Sequence, residues 1–352
     1  MNTSSRLAPG IVSALAAAIL FGASTPFAKV LIGHMAAVTL AGLLYLGAGA
    51  GLSGVWLWRR ARDAETGLIE RHDIPWLAAA IAVGGVLGPI LLMFGLSRMP
   101  AANASLLLNL ENVFTALIAW FVFHEHHDRR IVLGMVLIAL AGALLTGQSY
   151  ARLESILGPL AVMGACLCWA VDNNLTRRVS AGDPVLIAAI KGVAAGGVNT
   201  AVAVLLGERL PTPLTGAAAG VVGFLGYGVS LTLFVTALRH MGTARTGAYF
   251  STAPFVGAVI ALIGLHERAG VAFWVAAGFM AAGLWLHLSE RHAHAHSHEA
   301  LAHSHGHAHD IHHQHAHDSP WDGREPHVHY HVHDPLVHSH PHYPDIHHRH
   351  GH

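Results

Sequence analysis

Residues 98–125, RMPAANASLLLNLENVFTALIAWFVFHE, lie without a gap on residues 240–267, HMGTARTGAYFSTAPFVGAVIALIGLHE, at an offset of 142. The ends coincide, Met99 on Met241 and His124-Glu125 on His266-Glu267. Upstream, the stretch from Phe21 to Lys29 sits loosely on the stretch from Trp169 to Arg177, so the repeating unit is much longer than one segment. Crossing a hydrocarbon layer about 30 Å thick takes roughly 20 mostly apolar helical residues. Ten stretches of this kind are predicted, near Ile11–Val30, Ala36–Trp58, Ile74–Leu96, Ala101–Phe123, Ile131–Leu145, Ile156–Val171, Val185–Leu206, Gly216–Leu238, Gly242–Leu265 and Val271–Leu288. Each repeat then holds five crossings, an odd number, which turns the second copy upside down in the membrane. Two inverted halves around a central site are a common plan for secondary transporters.

The expected architecture is an all-α, polytopic membrane protein of ten transmembrane helices in two inverted five-helix repeats, followed by a disordered tail. The boundaries read as an N-terminal segment at 1–9, a first repeat at 10–149, a second at 150–290 and the tail at 291–352. Composition agrees: of 352 residues 53% are hydrophobic and 11% charged, with mean hydropathy +0.48, too apolar for one ordinary soluble domain. Lys occurs twice and no basic face emerges, which argues against nucleic acid as a partner. Cys166 and Cys168 are too few for a disulfide scaffold and lie about 200° apart on a helix, so packing is their expected role.

Cytoplasmic loops retain Lys and Arg during insertion. One alternating set of segments holds Arg6, Arg59, Arg60, Arg62, Arg71, Arg129, Arg130, Arg177, Arg178, Arg239 and Arg291, against Lys29, Arg98, Arg152, Arg209 and Arg268 on the other. Both termini are therefore predicted to be cytoplasmic, with the chain in the cell (inner) membrane.

Ionisable groups inside apolar spans cost at least about 2.5–3.5 kcal/mol on insertion scales, so they face protein or a wet cavity. Glu111 lies about ten residues into its span, too deep for a carboxylate to reach outside water. It is the leading candidate to line a substrate path, binding solute or carrying a proton, with Lys191 as a partner; the alternatives are a fixed interhelical hydrogen bond for Glu111 and snorkelling for Lys191. Asn109 and Asn112, three apart, can share a helix face and are better candidates than the less well aligned Asn103. Trp169, Asp172 and Asn173 form one stripe that reads as a gate or recognition patch, or leaves Asp172 to neutralise Arg177 or Arg178. The helix is expected to tilt or unwind at Asp172-Asn173-Asn174. Tyr249 and Tyr227 are weaker candidates. Glu125 and Glu267 end the paired stretches and are expected to be structural helix corners, accepting N–H groups from the start of the next helix.

The chain resembles the drug/metabolite transporter superfamily, and within it the EamA-type proteins of ten helices and two repeats. Carrying the resemblance over about 10–288 are Trp169-Ala-Val-Asp-Asn-Asn, Ala253-Pro254-Phe255 with Gly264-Leu265-His266-Glu267, and Glu125 with Gly134 and Gly142. The first repeat departs from it, with Glu111-Asn112 where the second has Ala253-Pro254. The resemblance implies a carrier of small metabolites or drug-like solutes, often an exporter, without ATP. The absence of a GxxxxGK[ST] loop agrees. No nucleophile elbow or zinc-hydrolase spacing is present, so an enzyme is not expected.

After Glu290 the composition changes: 23 of the 31 His lie in the last 62 residues, with seven Asp or Glu. Apolar residues are too sparse for a core, and such a tail is expected to be disordered until a ligand orders it. Alternating HxH runs put imidazoles on one side of an extended chain, suiting Zn, Ni, Co or Cu. Candidate ligands are His292, His294, His296, His298, His303, His305, His307, His309, His327, His329, His331 and His333. No cofactor is required for the carrier; the metal belongs to the tail. His124, His126 and His127 could relay from tail to carrier but read more simply as a solvated turn. The partners expected are the lipid bilayer and a small-molecule or ion substrate, and a homodimer is compatible with the sequence. Two other functions fit the tail: a divalent-metal exporter for Ni, Co or Zn, or a membrane-tethered metal buffer or sensor.

Overall fold

The computed structural model describes residues 3–62, 69, 71–123, 129–147, 153–179, 183–241, 243–288, 293–298, 301–307, 327–333 and 336–341. It divides into two compact units, Met1–Glu290 and Arg291–His352.

Every regular element among the described residues of the first unit is a helix. Its helices are α1 (Thr3–Ile32), α2 (Ala37–Arg60), α3 (Arg71–Arg98), α4 (Ala101–Leu107), α5 (Leu110–Phe123), α6 (Arg129–Gly147), α7 (Leu153–Val179), α8 (Pro184–Leu205), α9 (213–241), α10 (Thr243–Phe250), α11 (Ala253–Gly264) and α12 (Val271–Leu288). Among the described residues eight stretches are long and apolar enough to cross a membrane, counting α4 with α5 as one. The helices α11 and α12 are apolar but shorter. Large apolar side chains lie on the outside: Val12, Phe121, Ile263, Val271 and Trp285 are 66% or more exposed, and Leu205 reaches 85%. Water would penalise such a surface heavily, whereas lipid is an indifferent solvent for it.

Two helices contain π-helical segments, Ile81–Leu87 in α3 and Phe224–Val229 in α9. In α3 the cause is legible. Pro89 has no N–H, so the carbonyls one turn before it lose their helical donor. The Gly84 carbonyl accepts instead from Trp169 Nε1 at 2.9 Å and from the Tyr45 hydroxyl at 3.3 Å, and the Gly85 carbonyl from Asn199 Nδ2 at 3.2 Å. Three side chains from α7, α2 and α8 are thereby fixed around one irregular turn.

Helix packing depends on close backbone approach. Gly192 on α8 faces Gly49 on α2 so tightly that a methyl on Gly192 would lie 2.6 Å from the Gly49 Cα. The predicted unwinding at Asp172-Asn173-Asn174 does not occur: α7 runs unbroken to Val179, because Asn174 Nδ2 bonds back to the Ala170 carbonyl and Asp172 is held by neighbours. The fourth span does break, at Leu108-Asn109, and the ninth at Ser251-Thr252.

In the second unit, four strands pair as two antiparallel ribbons: β1 (Ala293–His298) with β4 (Leu336–Pro341), and β2 (Leu301–His307) with β3 (His327–His333). The tail is expected to be disordered until a ligand orders it; the described part of it, 293–298, 301–307, 327–333 and 336–341, pairs as strands. An HxH run has the period of a strand, and a ladder satisfies backbone groups without needing an apolar core.

Candidate functional site: a cavity at the helix breaks

A cavity of about 750 Å³ lies inside the first unit, lined from α1, α2, α7, α8, α9, α10 and both helix breaks. Leu108, Glu111 and Asn112 border it at the α4–α5 break, and Ser251, Ala253 and Pro254 at the α10–α11 break. Broken helices free backbone groups and polar side chains where a continuous rod would present only apolar ones.

Its polar wall is formed by Glu111, Asn112, Asp172, Asn173, Thr176 and Lys191. Lys191 Nζ bonds both Asp172 oxygens, at 2.6 and 2.7 Å, and Thr176 Oγ1 at 3.1 Å; Thr176 in turn donates to Asp172 Oδ1 at 2.8 Å. The pairing of Lys191 with Glu111 considered from the sequence is thus corrected, as is snorkelling: nineteen residues separate Lys191 from Asp172, and adjacent α7 and α8 turn both inward. Glu111 Oε1 accepts from Asn173 Nδ2 at 2.8 Å. No described Lys, Arg or His forms an ion pair with it.

The apolar wall is a continuous aromatic chain. Tyr45 meets Tyr227 at 5.7 Å between centroids, Tyr227 meets Phe21 edge-on at 5.8 Å, Phe21 meets Phe250 at 5.3 Å, and Phe250 meets Phe234 at 4.8 Å. All five rings line the cavity. Of these the sequence pointed only to Tyr227, because the others are spread singly over separate helices and each reads as ordinary packing.

Three predicted residues stand off the cavity. Asn109 is fully buried and donates to the Leu106 carbonyl at 3.0 Å, so it sits in the core at the break. Trp169 is spent on Gly84, and Tyr249 does not border the space while its neighbour Phe250 does. Cys166 and Cys168 are both buried.

The cavity reaches Pro184, the first residue of α8, at the end of the bundle where Arg59 pairs with Asp183 at 3.5 Å. At the opposite end, outside the residues that line the cavity, two charged side chains hold backbone groups. Lys29 Nζ donates to the carbonyls of Leu96 and Met99 at 2.6 and 3.0 Å, and Glu267 accepts from the Ala101 and Ala102 N–H groups at 2.7 and 2.8 Å. These are orphan donors at the start of α4, where a negative charge is favoured. Glu267 is therefore a helix cap, but on α4 and not on the next helix α12 as expected. His266, at φ 52°, turns the chain back at the end of α11. Glu125, together with His124, His126 and His127, lies outside the described residues.

Among the described residues searched, no group of three or more His, Cys, Asp or Glu is arranged to hold a metal. In the tail, the ribbon register sets His294 opposite His340, His296 opposite His338, and His303, His305 and His307 opposite His331, His329 and His327. His298 and His333 face Leu336 and Leu301, and His292 and His309 lie outside the described residues.

The EamA-like transporter family model matches this chain twice, over residues 8–147 and 156–289. An uncharacterized transporter of Methanothermobacter thermautotrophicus is 29% identical over 299 residues, covering 79% of this chain and 85% of that one. A probable 4-amino-4-deoxy-L-arabinose-phosphoundecaprenol flippase subunit ArnE of Pseudomonas aeruginosa is 40% identical over 117 residues, which is 32% of this chain and 97% of the relative. A solved crystal structure superposes with a TM-score of 0.58 at 18% identity, covering 81% of this chain and 96% of the other, a likeness of fold.

Proposed function

Because the chain belongs to the EamA-like transporter family, we propose that it is a secondary carrier that exports a small solute across the cell (inner) membrane by alternating access. Its ten crossings form two inverted five-helix repeats, both termini are cytoplasmic, and the form described here faces the cytoplasm. The observation that carries this reading is the asymmetry of the ends: the cavity extends to the Arg59–Asp183 end, while Glu267 and Lys29 tie the other end shut. Arg-rich loops mark the open end as the cytoplasmic one.

Several features support the duplication. The family model matches twice, and the structure's irregularities recur near the 142-residue offset: the π segment Ile81–Leu87 with Phe224–Val229, and the break after Leu107 with the break after Phe250. The ArnE-like relative, a flippase subunit by name, is matched almost entirely by a stretch shorter than either family segment, in keeping with a half-size unit.

Locking the closed end tests the mechanism. With Ala102→Cys and Glu267→Cys joined by a short flexible thiol crosslinker, solute counterflow in ATP-free proteoliposomes is expected to stop and to return on cleavage of the linker. Undiminished flux through the linked protein would refute alternating access at this end.

The tail supports a second role beside transport. Its HxH runs are of a composition suited to Zn, Ni, Co or Cu, and metal bound there would be shed as imidazoles protonate below pH of about 6.5. Comparing metal flux and metabolite flux in the full chain and in a chain ending at Glu290 separates a metal exporter or tethered buffer from a metabolite carrier. Metabolite flux that survives truncation is the expected result.

A further inference from the structure

We propose that the cavity selects a monovalent organic cation with an apolar, preferably aromatic, body. This deepens the carrier reading and rests on it for its biological meaning, but the binding it predicts is measurable without transport.

The argument is one of charge and surface. Of the described residues lining the cavity, two are acidic and one is basic. Lys191 is committed to Asp172 through both carboxylate oxygens, so that pair contributes little net charge. Among the described residues the Glu111 carboxylate is left with a neutral amide, Asn173 Nδ2, as its side-chain hydrogen-bond partner. An ionised Glu111 therefore gives the site a single uncompensated negative charge, in surroundings where desolvation makes an opposite charge valuable.

The rest of the wall narrows the class further. The linked rings of Tyr45, Tyr227, Phe21, Phe250 and Phe234 offer π faces and edges for an apolar body and favour a nearby cation over a neutral group. A carboxylate or phosphate on the solute would meet Glu111 with no free cation among the described lining residues to offset it. A divalent transition metal would find carboxylates and amides but no lining imidazole or thiolate, on a wall that is mostly hydrocarbon. An ammonium group near Glu111 with an aromatic body along the ring chain satisfies both walls at once.

The test is equilibrium binding to the purified full chain in nanodiscs, with benzyltrimethylammonium as the probe. Its uncharged carbon isostere neopentylbenzene, phenylacetate, phenylalanine and Ni²⁺ serve as competitors. The ammonium is expected to bind at least about tenfold tighter than the isostere or the carboxylate. Glu111→Gln should erase that preference. Asn173→Ala, which leaves the carboxylate and removes its amide partner, should bind the cation at least as tightly as the wild type, and this guards against a Glu111 variant that merely misfolds. Equal binding of cation and isostere, tighter binding of phenylacetate or phenylalanine, displacement by Ni²⁺, or an unchanged preference in Glu111→Gln would each overturn the assignment. Any of these would leave the carrier reading standing, since that falls on the flux of the crosslinked protein.

Discussion

The two segments that the family model matches share their backbone irregularities but not their charge. Both carry a π segment in the third helix of the half and a break in the fourth, and both deliver that break to the cavity wall. At the breaks, however, the first half presents Glu111-Asn112 and the second Ala253-Pro254. Conversely, the second half holds the Asp172–Lys191 pair, whereas the Phe21–Lys29 stretch that lies on Trp169–Arg177 has Ser24 in the place of Asp172. Backbone irregularity is what a moving, cavity-forming scaffold needs on both sides. Charge is what one particular solute needs, and one copy suffices. Under the proposed duplication, mechanism would be symmetric between the segments and specificity would not.

Breaking the charge on the second half should have the largest effect. Lys191→Met leaves Asp172 partly buried with only Thr176 for a partner, and removal of one member of a buried pair costs about 3–5 kcal/mol. Its thermal midpoint in detergent should fall well below that of the wild type. Asp172→Asn combined with Lys191→Met should recover most of the loss, because removing both charges leaves none buried without a partner. A double variant as unstable as the single one would mean the pair is structural in its own right and the separation of scaffold from charge is wrong.

A smaller effect is expected where the two halves meet. Glu267, from the second half, satisfies two N–H groups at the start of α4 in the first. A Gln there offers one oxygen and turns an N–H toward the other donor, so one backbone group loses its acceptor at a cost of about 1–3 kcal/mol. Glu267→Gln should lower the thermal midpoint and make a thiol placed at Ala102 more reactive toward water-soluble reagents. Unaltered labelling would remove Glu267 from the closed end.

How much of this could be read from the residues follows the same division. Span positions were legible because hydropathy integrates over some twenty residues, and one misplaced side chain changes little. The break at Leu108-Asn109 was hidden by the same averaging, since Leu107, Leu108 and Leu110 look like uninterrupted helix. The irregular turn in α3 was not read from the sequence although Pro89 lies there, and which donors adopt the freed carbonyls depends on the placement of α2, α7 and α8. Glu111 was legible as a buried charge that must face protein. The partner of Lys191 was not, because choosing between Asp172 and Glu111 turns on helix rotation. The ring chain escaped notice for a related reason: Phe21, Tyr45, Phe234 and Phe250 stand on four different helices and become one surface only on folding.

The mildest effect concerns the corner that aims Glu267. His266 sits at φ 52°, a left-handed conformation that costs a residue with a Cβ roughly 1–2 kcal/mol, part of which glycine would give back through its greater unfolded-state entropy. His266→Gly is therefore expected to stabilise the protein by about 0.5–1 kcal/mol, seen as a small rise in thermal midpoint. Under the repeat relation the corresponding residue is His124, so His124→Gly should give a rise of the same sign and size. Matching gains would extend the symmetry of the scaffold to the Glu125 corner at the other end of the bundle. A gain at His266 with a loss at His124 would show that the two ends are latched by different chemistry, and that the halves diverge in mechanism as well as in charge.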